Sequence, residues 1–398
     1  MDMIITPSKL NGTVNAIPSK SQAHRVLICS AFSDRPTTII CPESCQDIDA
    51  TVSCLLQLGA DIQRNPDGFY VKPVSTLPKY ADLYCKECGA TLRFLLPVVA
   101  ALGITATFHL EGNLPSRPLS PLWELLQCHG CSLTRPAQNK IHICGQLVPG
   151  EYVLPGNISS QFITGLLFAF SLMKGTSTLL LSGKLESLPY VQMTQQLLSS
   201  FGVESTNFTV HGHQGFITPG KWTVEGDWSN AAFFLASNSL GNCVTVNNLN
   251  PDSIQGDRLI LEYLKDLDSN CTISASDIPD LIPILSVVAA FRNGAVFTNI
   301  SRLRFKESDR VESILATLHA FGCQCEADDN KMIIHPCSFM GCTIQPFGDH
   351  RIAMAAAIAA TVADGIVTIQ DAQCVQKSYP GFWETYRSLG GHYEQFSR

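Results

Sequence analysis

Charge is scarce in this chain. Only 15% of its 398 residues are Asp, Glu, Lys or Arg, and the balance is acidic, at −7. That balance lacks the electrostatic footprint of a nucleic-acid binder. It leaves room for a local cationic pocket for small anions, because local charge sets a site. Long apolar runs are missing too. The longest, such as "FLLPVVAALG" and "IAMAAAIAATVA", fall short of the ~18 residues that a membrane span needs. The opening stretch "MDMIITPSKLNG" has neither the basic segment nor the apolar core of an export signal. With 45% hydrophobic residues, these absences predict a soluble, globular, cytoplasmic protein. At roughly 100–200 residues per domain, the length predicts two domains.

Cysteine is plentiful, with 16 residues, and a chain that stays in the cytoplasm keeps them as thiols rather than disulfides. Two pairs, Cys85/Cys88 in "CKECG" and Cys128/Cys131 in "CHGC", have the spacing of a zinc site. The alternative is a set of small, buried apolar side chains.

One pattern returns six times. A short polar or Gly-containing lead enters an apolar, helix-like run, which a Gly or Pro turn ends before a β-rich run. The turn residues are Pro36, Gly103, Gly175, Gly241, Gly294 and Gly365, at intervals of 67, 72, 66, 53 and 71 residues. That regularity signals internal repeats, and the short fourth interval suggests trimmed loops. After most copies a second helix ends in Gly, as in "IDATVSCLLQLGADI" and "PYVQMTQQLLSSFGVE", with apolar residues at helical spacing. Each unit therefore reads strand–helix–strand–helix–strand(s), and six units make an α/β protein of two similar halves. The first helices are apolar nearly all round and should be buried, while the second are amphipathic.

Parallel buried helices would bring their N-termini to one face. Free N–H groups and a partial positive charge make such a face a place for anions. The leads hold Lys20, Ser21 and Arg25; Glu87, Gly89 and Arg93; Ser159, Ser160 and Gln161; Asp227, Ser229 and Asn230; Asp277 and Asp280; and Asp349, His350 and Arg351. Ser, Asp and Asn there are ordinary helix caps. Lys20, Arg25, Arg93 and Arg351 are not, because a cation opposes the helix dipole, and a bound anion would resolve the conflict. "RFKESDR", residues 304–310, sets five charges in seven residues at the start of a second-type helix. Ser308 or Asp309 would cap it, and Lys306, Glu307 and Arg310 would flank the same cleft. The alternative is a solvated ion-pair cluster. Arg117 and Lys377 each lie just before a second-type helix, and "ESLPYVQ" offers Ser187 and Tyr190.

Taken together and in order, "PSKSQAHR", "ECGATLRFLLP", "SRPLS", "SSQFITGLL", "LPY", "IPDLIPIL", "RFKESDR", "GDHRIAM" and "KSYPGFW" resemble the 5-enolpyruvylshikimate-3-phosphate (EPSP) synthase family over almost the whole length. The resemblance implies a two-domain inside-out α/β barrel of six βαβαββ units, three per domain. It places residues 19–224 in one domain and residues 1–18 with 225–398 in the other, with the active site in the interdomain cleft and closure on binding. It implies transfer of the enolpyruvyl group of phosphoenolpyruvate (PEP) to shikimate 3-phosphate by a monomer without cofactor or metal. Carried over by motif, Lys20, Asp280 and Glu307 are catalytic, with Glu307 toward PEP and Asp280 toward the acceptor hydroxyl. PEP falls to Lys20, Gly89, Arg117, Gln161, Arg310, Arg351 and Lys377. Shikimate 3-phosphate falls to Lys20, Ser21, Arg25, Ser159, Ser160, Gln161, Ser187, Tyr190, Asp280 and Lys306. His350 reads as a neighbour that shapes the site.

The chain departs from the pattern at Glu87 and Ala90, where much of the family has Asn and Thr, and at Arg302, where some members have Asn. Two rivals remain. A UDP-N-acetylglucosamine enolpyruvyl transferase would carry a Cys in the loop before its Arg-Pro, and "HLEGNLPSRP" has none. A non-catalytic anion-binding protein on this scaffold would have lost the carboxylates or cations, and they are all present.

Overall fold

The computed structural model describes residues 1–212 and 214–396. Its helices, in chain order, are α1 Lys20–Ala31, α2 Gln46–Gln57, α3 Gly89–Ala101, α4 Leu122–Cys128, α5 Ser160–Leu172, α6 Leu188–Ser200, α7 Trp228–Ser237, α8 Ile260–Asp266, α9 Ile282–Phe291, α10 Arg310–Ala320, α11 His350–Ala360 and α12 Phe382–Ser388. Odd-numbered helices are the apolar runs of the six copies, and even-numbered ones follow them.

The second copy displays the plan. Strand Tyr80–Lys86 leads into α3, and Thr105–Leu110 returns parallel to it. After α4, the hairpin of Cys131–Ala137 and Lys140–Gly145 adds antiparallel to that edge. The parallel pair needs a helical crossover, whereas the hairpin needs only a turn.

The chain divides into two compact units, Pro18–Val224 and Met1–Ile17 with Glu225–Arg398. Each completes its repeats with strands from distant sequence. In the first, Lys221–Thr223 pairs parallel with Thr37–Ile40 and serves as the leading strand of the first copy. In the second, Asn11–Asn15 leads the fourth copy against Cys243–Asn247, and Asp2–Thr6 lies between Val367–Ile369 and His392–Phe396.

The short fourth interval is not a matter of trimmed loops. Among the described residues the fourth copy lacks its terminal hairpin. Its sheet has two strands where the other copies have four, and α8 runs directly to Cys271–Ser274, which opens the fifth copy.

Burial follows the sequence pattern. α3 buries twelve of its thirteen residues and α11 all eleven, so these helices lie inside their barrels. α2 and α6 bury one side. α5 reaches α3 closely at Gly165, where a Cβ would sit 2.3 Å from the Arg93 carbonyl. Pro97 removes the N–H that would bond that carbonyl within α3. The close approach sets Arg93 beside the start of α5.

The cysteines depart from expectation at one place. Cys323 and Cys337 form a disulfide, because the turn after α10 and the strand Lys331–Ile334 bring their Cα atoms to 5.3 Å, within the span of a bridge. The four CxxC thiols do not gather. Cys85 and Cys131 are buried, Cys128 is exposed, and Cys88 caps α3 with its sulfur. Among the described residues no helix is long and apolar enough to cross a membrane.

Candidate active site

In the unit Pro18–Val224 the starts of α1, α3 and α5 come together. Ser19, Cys88 and Ser159 cap these helices with their side chains, so Lys20 and Ser21, Gly89, and Ser160 and Gln161 occupy the open, anion-favouring ends. Arg25 lies one turn into α1, 2% exposed. Its guanidinium donates to the hydroxyls of Thr194 (2.8 Å) and Thr164 (3.3 Å) and to the carbonyls of Ser21 (2.6 Å) and Tyr190 (3.2 Å). Its hydrogen-bond partners among the described residues are neutral, and burial pushes the guanidinium down to about 10. A buried cation held by neutral groups is costly, and an anion would relieve the cost.

Arg93 donates to Gln161 Oε1 at 2.8 Å and to the Pro118 carbonyl at 3.1 Å. It thereby ties α3 to α5 and to the loop that carries Arg117. A Cβ on Gly89 would lie 2.8 Å from Arg117 Nη1 and 3.0 Å from Arg93 Nη1, so the absence of a side chain there makes room for both guanidinia. Lys20 Nζ is 2.8 Å from Asp47 Oδ2. Ser187, in the left-handed region at φ 54°, turns the chain into α6, and Tyr190 follows it. Contacts therefore link α1, α3, α5 and the start of α6, which carry the site residues expected in this unit apart from Arg117, in the loop before α4.

The second unit gathers its own set. Arg310, the first residue of α10, is fully buried, and each edge of its guanidinium meets a carboxylate. Nη1 is 2.6 Å from Asp280, Nη2 is 2.7 Å from Glu307, and Nε is 2.8 Å from Asp349. Arg351, in the first turn of α11, donates to Asp280 Oδ2 (3.2 Å) and to the Ser229 hydroxyl (3.0 Å). Lys306 Nζ stands 3.8 Å from Asp280 Oδ1. Ser229 also donates to Asp257. Lys377 is buried at the end of a short 3-10 turn, and the next residue, Ser378, donates to Asn230 in the first turn of α7.

Local sequence explains the placement. Asp309 caps α10 and Asp349 caps α11. α9 starts at Leu281 without a side-chain cap, so the Asp280 carboxylate just before it goes to cations instead. "RFKESDR" divides in two. Arg304 turns to Asp309 and the exposed Glu312, the solvated ion pair of the alternative reading. Lys306 and Arg310 turn to Asp280, and Glu307 turns to Arg310.

The electrostatics follow from this packing. Burial alone would raise the Asp280 carboxyl, but Arg351, Lys306 and Arg310 hold it well below the usual carboxylate range. Burial drives Lys306 down to about 8, against the pull of Asp280. Burial, with Asp280 nearby, pushes Asp257 up to about 6. Arg310 loses by burial and gains more from Asp349, Glu307 and Asp280, so it stays protonated.

Several supporting residues have no role assigned from the sequence: Asp47 and Asp257 go unnamed there, and Ser229 and Asp349 read as helix caps. Asp47 holds Lys20, Asp349 holds Arg310, and Asp257 with Ser229 backs Arg351. Each sits in or beside a helix's first turn, where an acid or a serine reads as a cap. Arg93 stood out as a cation against a dipole but had no assigned role. His350 is buried next to Asp349, with Nδ1 3.9 Å from a carboxylate oxygen. The arrangement offers two cationic sets at helix N-termini, one of them with the carboxylates of Asp280, Glu307 and Asp349 around Arg310, a combination suited to anions and to proton transfer beside them.

Comparison with known proteins agrees with the fold and the chemistry. The family model for EPSP synthase (3-phosphoshikimate 1-carboxyvinyltransferase) matches residues 4–386. A 3-phosphoshikimate 1-carboxyvinyltransferase of Clostridium kluyveri is 37% identical over 419 residues, covering 99% of this chain and 98% of the relative. An EPSP synthase structure from Acinetobacter baumannii superposes with a TM-score of 0.77 at 21% identity, covering 99% of this chain and all of the other. The enolpyruvyl transferase NikO from Streptomyces tendae gives 0.80 at 16% identity, covering 100% and 99%. At those identities the two structures speak for the fold alone, an α/β architecture of repeated units in two domains.

Proposed function

The chain belongs to the EPSP synthase family, and from that premise we propose how its side chains divide the work. The reaction transfers the enolpyruvyl group of PEP to the 5-hydroxyl of shikimate 3-phosphate, giving EPSP and phosphate on the shikimate pathway to chorismate and aromatic amino acids. A proton adds to the PEP methylene, the 5-hydroxyl gives up its proton and attacks C2, and a tetrahedral intermediate forms. Phosphate then leaves as a proton is lost from the same methyl carbon and the double bond returns.

Both substrates are anions, and the observation that carries the residue assignments is the set of cations seated at helix N-termini. Arg25, Lys306, Ser21, Ser159, Ser160, Ser187 and Tyr190 receive shikimate 3-phosphate. Arg117, Arg310, Arg351, Lys377 and the open end of α3 at Gly89 receive PEP, while Lys20 and Gln161 touch both. Glu307 exchanges the proton at the PEP methylene, and Asp280 takes the hydroxyl proton.

Asp280 as a base has a physical difficulty in the unliganded protein, where cations depress it. PEP supplies the remedy. Its phosphate and carboxylate compete for Arg310 and Arg351, so Asp280 shares two of its three cations with PEP and becomes more basic when the acceptor is bound. The protein acts as a cytoplasmic monomer and needs no nucleic acid or membrane.

The test is phosphate release from purified protein given both substrates, with Glu307→Gln in parallel. Release that requires both substrates and slows by ~100-fold or more in the variant supports the assignment. No slowing would remove Glu307 from the chemistry. No release with shikimate 3-phosphate or with UDP-N-acetylglucosamine would leave the anion-binding reading.

A further inference from the structure

We propose that His24, Asp47 and Cys88 form a site for a thiophilic divalent cation of the zinc class, and that its occupancy draws Asp47 away from Lys20. One ligand atom from each of the three residues lies within 4.8 Å of the other two, and all three residues are buried. His24 Nε2 is 3.9 Å from Cys88 Sγ. That is near the ~3.5 Å edge of a tetrahedron built from Zn–N and Zn–S bonds of about 2.0 and 2.3 Å.

The imidazole is already held as a ligand would be. Its Nδ1 is 2.7 Å from the Thr51 hydroxyl, which is itself 2.6 Å from the Thr91 hydroxyl. This chain fixes the ring and leaves Nε2 toward the sulfur, the arrangement of partners found behind metal-bound histidines. Sulfur, imidazole and a carboxylate together suit zinc, cadmium or cobalt rather than magnesium or calcium. Three protein ligands leave a fourth position for water.

The sequence alone suggested a different set. The spacing of Cys85 and Cys88 pointed to a pair of thiols, but the fold turns Cys88 away from that pairing, to meet a histidine from α1 and an aspartate from α2. Binding converts the Cys88 thiol to a thiolate. The proton goes to solvent, so affinity rises with pH. The ammonium of Lys20, 2.8 Å from Asp47, opposes the incoming charge. Its side chain is 16% exposed, so it has a way out toward water. The loss of Lys20 from its seat makes the metal an inhibitor. That consequence rests on the role proposed for Lys20, whereas metal binding does not.

The experiment uses the full chain, stripped with a chelator and titrated with Co²⁺ as an optical probe and with Zn²⁺ in equilibrium dialysis. Cys128 and Cys243, the exposed thiols, are replaced by Ser throughout. One equivalent of Co²⁺ should bind with a thiolate-to-metal charge-transfer band. Cys88→Ser, which keeps a hydroxyl to cap α3, should lose the band and weaken binding at least ~100-fold. His24→Asn should weaken binding comparably. Zn²⁺ should inhibit the parent and spare Cys88→Ser. Absence of the band, or equal binding by Cys88→Ser when its melting curve matches the parent, overturns the site. A band without inhibition overturns only the displacement of Lys20. A metal-free protein inactive with both substrates would count against the functional reading and leave the optical result standing.

Discussion

Replacing Asp349 by Asn tests whether the three carboxylates around Arg310 balance its buried charge. The substitution keeps shape, and the amide oxygen can still accept from the Arg351 N–H, now 2.9 Å from Oδ1, so the cap of α11 survives. What disappears is one ion pair between groups that are 1% and 0% exposed. The amide nitrogen would also face the Arg310 N–H, donor against donor. Breaking a buried pair by removing one partner costs about 3–5 kcal/mol. At about 2–4 °C per kcal/mol for a unit of this size, the transition of the unit holding Glu225–Arg398 should fall by roughly 10 °C in scanning calorimetry. Asp349→Ala, which also loses the cap, should cost about 1 kcal/mol more. Inorganic phosphate should recover more stability in Asp349→Asn than in the parent, because an anion refills the position beside Arg310. A fall below about 2 °C, or no extra benefit from phosphate, would refute the balance argument.

Other tests follow from the same geometry. Arg25→Gln should raise KM for shikimate 3-phosphate at least ~100-fold while leaving the melting temperature equal or higher, since a buried cation with neutral partners is removed; a lower melting temperature with unchanged KM would place Arg25 in the scaffold instead. Gly89→Ala should displace Arg117 and raise KM for PEP by about tenfold, equivalent to about 1.4 kcal/mol, with little change for the other substrate. Asp257, raised to about 6 when folded, binds its proton more tightly in the native state, so its contribution to stability falls as pH rises from about 4 to 6. Asp257→Asn should therefore gain on the parent across that window by about 3 kcal/mol, and a pH-independent difference would contradict the shift. Lys306 at about 8 should give an alkaline limb near that pH in kcat/KM for shikimate 3-phosphate, and Lys306→Arg should move the limb upward.

Much of this protein was legible along the chain. Six turn residues at near-constant intervals announced the repeats, because each unit must bury a similar helix and end it in a similar way. Lys20, Arg25, Arg93 and Arg351 pointed to a candidate site, because a cation at a helix N-terminus opposes the local field wherever the helix lies. Helix burial was legible for the same reason: an apolar run with no polar face has only one stable environment. Such signals depend on a residue and its near neighbours.

What tertiary structure alone decided is pairing. Arg310 meets carboxylates 30 and 39 residues away, Arg25 meets Thr194 across 169, and Cys88 meets His24 across 64. The leading strand of the first copy arrives from Lys221–Thr223, and the fourth copy omits its hairpin. Asp47, Asp349 and Asp257 each look like a helix cap or a surface acid in sequence. Their charges matter only because sheet register and helix packing aim them at one particular cation. Periodicity reports the environment that a residue requires, but the partner that provides it is chosen by how distant segments close on one another.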